Sequence, residues 1–406
     1  MLNDTPLKII TDVTLILADG QQSKGSVLIE EGRIRSITAD PPGALLLNHE
    51  NVEIWSGNGL YLTPGLIELH FNGALGCDLN KTTIKGVQDL LSRLPAFGIT
   101  SVVLTAITAP LTDLLSCIQI LSGVVHHQAE FHCRALGLHL EGPFISPRYR
   151  GAHPAVDVRP FNLEELQLLL SPKVRMVTIA PEVDTTGAGI RLMTERGVRV
   201  SMGHSNATVA DVERGIEAGI CSVTHLFNAM RPLHQREPGL IAPALTDDRI
   251  YAQVIGDGAH VHPTAIKMVL ASKPANRVLL TSDASPAAGL PEGSQLNFGG
   301  QSVTVEKQQT INHEGVLAGS SQLISDCVRN LVRWNLADFG TAIRFATANP
   351  AEFLGERELG RLEVGCFADL VLWNPKTFTV ETTFIQGEPV YQRQQNFKPQ
   401  KIVANR

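Results

Sequence analysis

The 406-residue chain has no run of about 18 apolar residues, so it offers no span for a bilayer. Its opening residues, 1–6, include Asn3 and Asp4 and lack the basic stretch and apolar run of a secretory leader. Cysteine is scarce and scattered. The six (Cys77, Cys117, Cys133, Cys221, Cys327, Cys366) form no C-x-x-C pair and no dense framework, which argues against a disulfide scaffold or a cysteine-held zinc. A reducing compartment, the cytoplasm, is the expectation. There is no basic excess either: with a net charge of −6 nothing draws the chain to nucleic acid or to an anionic membrane. An anionic small substrate would need a local cationic pocket. Internal repeats are missing too, which removes solenoid architectures.

What is present is a large potential core, with 43% hydrophobic and 18% charged residues. Residues 7–54 read as short alternating strands broken by turns, Glu31-Gly32 punctuating a hairpin, and the tail repeats this texture over 367–373, 379–381 and 383–391. Neither end alone has strands enough to bury a core, so the two ends are expected to form one small β-sandwich (1–59 and 360–406) around a central domain (60–359). In that centre, strand-like runs at 61–71, 100–107, 135–140, 175–180, 199–203, 222–226, 251–255 and 277–282 alternate with amphipathic helical runs such as 208–218, 262–272 and 323–336. Thr208 or Asn206 is placed to cap the first of these helices. Eight βα units predict an α/β fold of the (β/α)8 TIM-barrel type. A doubly wound open sheet would gather its ligand at one switch point, whereas here polar residues follow many strand ends.

Those polar residues come in seven stretches: 68–72 (ELHFN), 140–144 (LEGPF), 151–153 (GAH), 202–206 (MGHSN), 224–230 (THLFNAM), 257–260 (DGAH) and 281–284 (TSDA). An ionisable group after a buried strand is costly unless paired or used. Glu141, His204 and His225 make an O,N,N set suited to zinc or a neighbouring divalent metal (iron, manganese or cobalt) with a position left open for water or substrate. Asp283 is the natural general base, and a metal ligand or a helix cap are its alternatives. His153, in a Gly/Pro-rich loop beside Ala152, is placed to polarise a carbonyl. Arg236 and the amides around Asn228 and Ala229 suit an anion such as phosphate, the alternative for Arg236 being a surface ion pair with Glu237. His126, His127, His132 and His313 read as solvated or capping.

With these motifs in place, the chain resembles the N-acetylglucosamine-6-phosphate deacetylases of the amidohydrolase superfamily along nearly its whole length. The resemblance is carried by PGLIELHFNG (64–73), LHLEGPFISPRYRGAHP (138–154), SMGHSNA (201–207), VTHLFNAM (223–230), REPGL (236–240), DGAHVHP (257–263) and TSDA. It implies hydrolysis of the acetamide of a 6-phosphosugar, with Glu141, His204 and His225 holding one divalent metal and Asp283 as acid and base. It further implies an acetyl contact from His153 and substrate contacts from Ala152, Asn228, Ala229, Arg236 and His260. A loop contact from Ala318, Gly319 and Ser320 completes the set, and a homodimer is implied in which Arg236 reaches the neighbouring site. Where two-metal amidohydrolases show H-x-H, this chain has His70-Phe71-Asn72, so any second ion at His70 and Asn72 would be weakly held. The galactosamine epimer of the substrate stays open at this stage. So does cyclic amide hydrolysis, although 174–182 ends in Glu182 rather than in the lysine such enzymes commonly carboxylate. A non-catalytic scaffold is the reading from another class, and it conflicts with the intact set of polar residues.

Overall fold

The computed structural model describes residues 7–38, 51–129, 132–313, 315–393 and 398–403. Residues 1–6, on which the expectation about a leader rests, lie outside them. Eight parallel strands follow one another in sequence order: β1 (Leu66–Phe71), β2 (Ile99–Ile107), β3 (Arg134–Glu141), β4 (Val174–Ile179), β5 (Arg199–Met202), β6 (Ile220–Val223), β7 (Tyr251–Ile255) and β8 (Val278–Thr281). The sheet curls until β8 meets β1. There Phe71 bridges Ala284, the Asn72 amide donates to Ala284 O at 2.9 Å, and the Thr281 and Ser282 hydroxyls donate to the Glu68 carboxylate. Closure on itself rules out the open doubly wound sheet and meets the expectation of a TIM-type barrel.

A helix follows each barrel strand, and its start is written locally. Val209–Ala218 opens with a capping box: Thr208 accepts from the Asp211 amide while Asp211 accepts from the Thr208 amide at 2.9 Å, so Thr208 rather than Asn206 is the cap. The helix buries Val212 and Ile216 and stops at Gly219, whose φ of 125° few other residues adopt. Pro263–Ser272 begins with proline at its first turn, where a missing N–H costs nothing, and His262 caps it.

The run 61–71, expected as one strand, is two. Tyr61–Pro64 pairs antiparallel with Leu370–Trp373 in the sheet made by the chain ends, and only Leu66–Phe71 enters the barrel. Gly65 marks the break because a Cβ there would lie 2.0 Å from Thr100 Oγ1. In the nine-stranded end sheet, Leu7–Ile16 pairs first with Asn51–Ser56 and then, past Asp12, with Tyr61–Pro64, which folds the sheet over its own core. That core holds Val13, Leu15, Trp55, Leu62 and Phe384. The Glu31-Gly32 hairpin is present, with both residues at positive φ (49° and 75°), as a two-residue loop of this twist requires. All six cysteines are free, and no described helix is long and apolar enough to cross a membrane.

Leu370–Trp373 binds the two parts together through the period of two of a strand. Leu370 and Leu372 face the end-sheet core, whereas Val371 and Trp373 join the barrel's core. Trp373 is fully buried, packs edge-on to Phe339 and donates from Nε1 to Thr63 Oγ1 at 2.8 Å. Truncation to alanine would leave a cavity at this joint and remove one of the two hydrogen bonds of the Thr63 hydroxyl, which also donates to Pro64 O, so Trp373→Ala is expected to cost about 3–5 kcal/mol. Chemical denaturation followed by circular dichroism checks this, and a loss under about 1 kcal/mol would show that the joint carries little of the stability.

Candidate active site

Glu141 is the last residue of β3, while His204, His225 and Asp283 each lie two residues beyond the ends of β5, β6 and β8. All three of the latter take left-handed backbone conformations, with φ of 47°, 30° and 53°. Such geometry costs a non-glycine residue about 1–3 kcal/mol and persists only where surroundings over-determine it. Here they do. Around His225, the Thr224 amide donates to Met202 O at 2.8 Å and the Leu226 amide to Gln253 O at 2.9 Å; at Asp283, the Ser320 amide donates to its carbonyl at 2.7 Å. The sharp turns swing the side chains off the barrel wall and into its mouth.

There they meet around one carboxylate. Glu141 Oε1 lies 3.1 Å from His204 Nε2 and 3.0 Å from His225 Nε2, and those two nitrogens are 3.0 Å apart. Glu141 Oε2 faces His70 Nε2 at 3.2 Å and His153 Nε2 at 3.4 Å. Asp283 Oδ1 takes a hydrogen bond from Asn72 Nδ2 at 2.8 Å and lies 3.3 Å from His70 Nε2. His70, buried between two carboxylates, links the Glu141 cluster to Asp283.

This donor set fits a divalent cation. His204 Nδ1 lies 2.9 Å from the carbonyl of Tyr149, which can only accept, so the ring proton sits on Nδ1 and the Nε2 lone pair points at the cluster. Burial holds His225 and His153 below the usual histidine range, which favours the neutral, ligating form. Burial alone would raise the Glu141 carboxyl, but the imidazoles of His70, His153, His204 and His225 hold it well below its ordinary range, so it stays anionic. For His70 burial opposes the charge, yet Glu141, Asp283 and Glu68 win and raise it to about 9. Ligand atoms of Glu141, His153 and His204 all lie within 4.8 Å of one another, which admits His153 as a ligand. His225 approaches more closely than His153 does, on the same carboxylate oxygen as His204. Asn72 turns its amide nitrogen toward Asp283, and its buried oxygen has no hydrogen-bond partner among the described residues.

Asn72, Glu141, Ala152, His153, His204, His225, Asn228, Ala229, His260, Asp283 and Gly319 all line one cavity of ≈ 440 Å³. His70 lies beneath it, fully buried. His260 is pinned by Asp257 at 2.7 Å, and that carboxylate also takes the Ser320 hydroxyl at 2.9 Å. Burial disfavours the charged form of His260, but Asp257 outweighs it and lifts its pKa above the ordinary value. Ala318 does not face the cavity; it packs with Ile107, Phe298 and Val303 behind the wall. Arg236 lies apart, exposed on its loop, and Glu237 pairs with Arg231 at 3.6 Å rather than with Arg236.

The sequence reading had no account of the cavity's apolar wall. Phe298 and Leu317 line it, brought there by a three-stranded insertion after β8 (Gln295–Phe298, Gln301–Glu306, Gln309–Asn312). Its signal was a period-two pattern around Gly299-Gly300. Thr108 (2.8 Å from His153 Nδ1) and Glu182, which accepts from Ser205 and the Asn206 amide, are supports with no motif that marks them, whereas Asp257 opens the DGAH stretch.

Residues 61–390 match the amidohydrolase family. The chain is 35% identical over 398 residues to the human N-acetylglucosamine-6-phosphate deacetylase, covering 93% of this chain and 94% of that one. To the enzyme of the same name from Bacillus subtilis it is 32% identical over 371 residues, covering 90% and 92%. Among solved structures, the N-acetylglucosamine-6-phosphate deacetylase of Pasteurella multocida superposes with a TM-score of 0.87 at 27% identity, covering 94% of this chain and 99% of that one. A mutant N-acetyl-D-glucosamine-6-phosphate deacetylase from Mycobacterium smegmatis, in complex with N-acetyl-D-glucosamine-6-phosphate, does so at 0.86 and 29%, covering 96% and 100%. The chain belongs to the amidohydrolase family, within its N-acetylglucosamine-6-phosphate deacetylases.

Proposed function

We propose that the protein hydrolyses the acetamide of N-acetyl-D-glucosamine 6-phosphate to D-glucosamine 6-phosphate and acetate, using one divalent metal. The observation that carries this reading is the convergence of His204 and His225 on one oxygen of Glu141, at 3.1 and 3.0 Å, in a cavity that Asp283 also lines. The Mycobacterium smegmatis relative held with N-acetyl-D-glucosamine-6-phosphate supports the choice of sugar. Glu141, His204 and His225 would hold the metal, zinc being the ion that an O,N,N set with an open position suits best. When bound, it supplies Lewis acidity for activating water and polarising the amide carbonyl.

The chain's own residues do the rest. Asn72 and His70 occupy Oδ1 of Asp283, which leaves Oδ2 to take the proton of the attacking water and return it to the departing amine. His153, anchored through Nδ1 by Thr108, contacts the acetyl oxygen as charge develops on it. Ala152, Asn228, Ala229 and His260 hold the phosphosugar, and Gly319 is the residue of the Ala318–Ser320 segment that faces it. The exposed Arg236 serves the site of a second copy, which makes the working form a homodimer in the cytoplasm. His70 acts as an ion-pairing link between Glu141 and Asp283 rather than as a ligand to a second ion.

Acetate release from N-acetyl-D-glucosamine 6-phosphate is expected to stop on chelation and return with about one metal per chain. Asp283→Asn should lower kcat by about a thousandfold at unchanged metal content; substantial turnover by this variant would take Asp283 out of the reaction.

Because Asp257 raises the pKa of His260, the cationic form persists above the ordinary histidine value of 6.5 and disappears as pH climbs through the raised one. KM should therefore be flat below that raised value and rise above it. Asp257→Asn should shift the rise toward lower pH. A KM profile identical in the two proteins would remove His260 as a charged contact.

Arg236→Ala should raise KM by about tenfold or more while kcat stays within about twofold, as the loss of a charge-assisted anion contact requires. Sedimentation should show a dimer for both proteins. A monomeric, fully active wild type would sink the cross-subunit role.

A further inference from the structure

Glu68 sits in the middle of β1 with 0% exposure, and the reaction proposed above has no use for it. A carboxylate this deep is tolerated only when its hydrogen bonds are complete. They are complete here. Oε1 accepts from Thr281 Oγ1 at 2.5 Å and from the His70 amide at 3.2 Å; Oε2 accepts from the Ser282 amide at 3.1 Å and from the Ser282 hydroxyl. Each oxygen takes one backbone amide, that of His70 or that of Ser282, so both oxygens must accept; burial raises the carboxyl's pKa, and all four bonds act against that rise.

Three of the four bonds go to the two residues that precede Asp283. The Ser282 oxygen, its proton given to Glu68, accepts in turn from the amide of Ala284 at 3.1 Å. Asp283 is thus bracketed: the residue before it is tied to Glu68 directly and the residue after it through the Ser282 hydroxyl. Between them Asp283 holds a φ of 53°, a conformation that a free non-glycine residue would leave. Four residues on from Glu68, Asn72 binds Asp283 Oδ1 at 2.8 Å, so β1 grips both the turn and the carboxylate it carries.

We propose that Glu68 is a positioning residue for Asp283, holding through Ser282 the strained turn that aims the Asp283 carboxylate into the cavity. This rests on the acid–base role proposed for Asp283. A residue needed only to close the barrel would not require two acceptor oxygens at this point, since an apolar side chain of similar size packs a seam equally well.

The test compares metal-loaded wild type with Glu68→Gln, Ser282→Ala, the double variant and Asp283→Asn, all assayed on N-acetyl-D-glucosamine 6-phosphate. Glu68→Gln sets an NH2 group against donors, and Ser282→Ala removes the relay to Ala284. Each should lower kcat by about 10- to 100-fold, the scale of a misaimed catalytic group. KM should stay within about twofold and metal content at the wild-type value. The double variant should fall no further than the worse single, because both changes cut one path. Should Glu68→Gln not fold, Ser282→Ala, which deletes a single hydroxyl, decides the matter by the same kcat and KM readout. Wild-type kcat in Ser282→Ala and Glu68→Gln beside an inactive Asp283→Asn would overturn the positioning role and leave that of Asp283 standing. Losses that multiply in the double variant, or that follow metal content, would overturn it as well. Turnover by Asp283→Asn would instead bring down the acid–base reading on which it depends.

Discussion

One buried anion organises the site. Glu141 ends β3 with its carboxylate sealed from solvent, and four imidazoles approach it, His204 and His225 on one oxygen and His70 and His153 on the other. An unpaired carboxylate at that depth would be expensive, so β1 and the loops after β3, β5 and β6 are held to whatever geometry brings their histidines within reach. The two oxygens also divide the chemistry. The Oε1 side gathers the nitrogens of His204 and His225, and the Oε2 side reaches through His70 to Asp283 and through His153 to the cavity.

Convergence of this kind depends on the barrel being shut. The strand ends face one mouth only because β8 returns to β1, and the same seam that closes the sheet, through Glu68, Thr281 and Ser282, carries Asp283 at its rim. Strain is spent there: His204, His225 and Asp283 all hold left-handed backbone, and backbone hydrogen bonds from neighbouring segments hold the turns in place. The end sheet, tied in by Trp373 and Val371, completes a core that the barrel shares. Under the site, His139, Thr178, Thr224 and Ser201 form a buried hydrogen-bonded chain, which fills the barrel with satisfied polar groups where apolar side chains would be usual.

Much of this was legible in the chain. The barrel showed as apolar runs alternating with amphipathic ones, because a parallel strand buried on both faces admits little else. Glu141, His204, His225 and Asp283 stood out because an ionisable residue just after such a run has few structural uses. Less legible were features set by contacts between distant segments. Tyr61–Pro64 and Leu66–Phe71 read as one strand, since nothing but the proximity of Thr100 to Gly65 parts them. The flap after β8 is short and polar, so its strands carry a faint pattern, and Phe298 becomes a cavity wall only once folded over the mouth. Arg236 lies in a motif but away from the cavity of its own chain.

Alone, the sequence determined the alternation of strand and helix in the barrel, the order of its eight strands along the chain and the identity of the polar residues at their ends, because periodicity and local burial are properties of neighbours along the chain. Only the tertiary structure decided which oxygen of Glu141 meets which imidazole, that Asn72 turns its amide nitrogen to Asp283, and that Glu68 grips the turn that carries Asp283. Those are matters of angle and distance between residues as many as 214 positions apart, and they come into being when the last strand of the barrel meets the first.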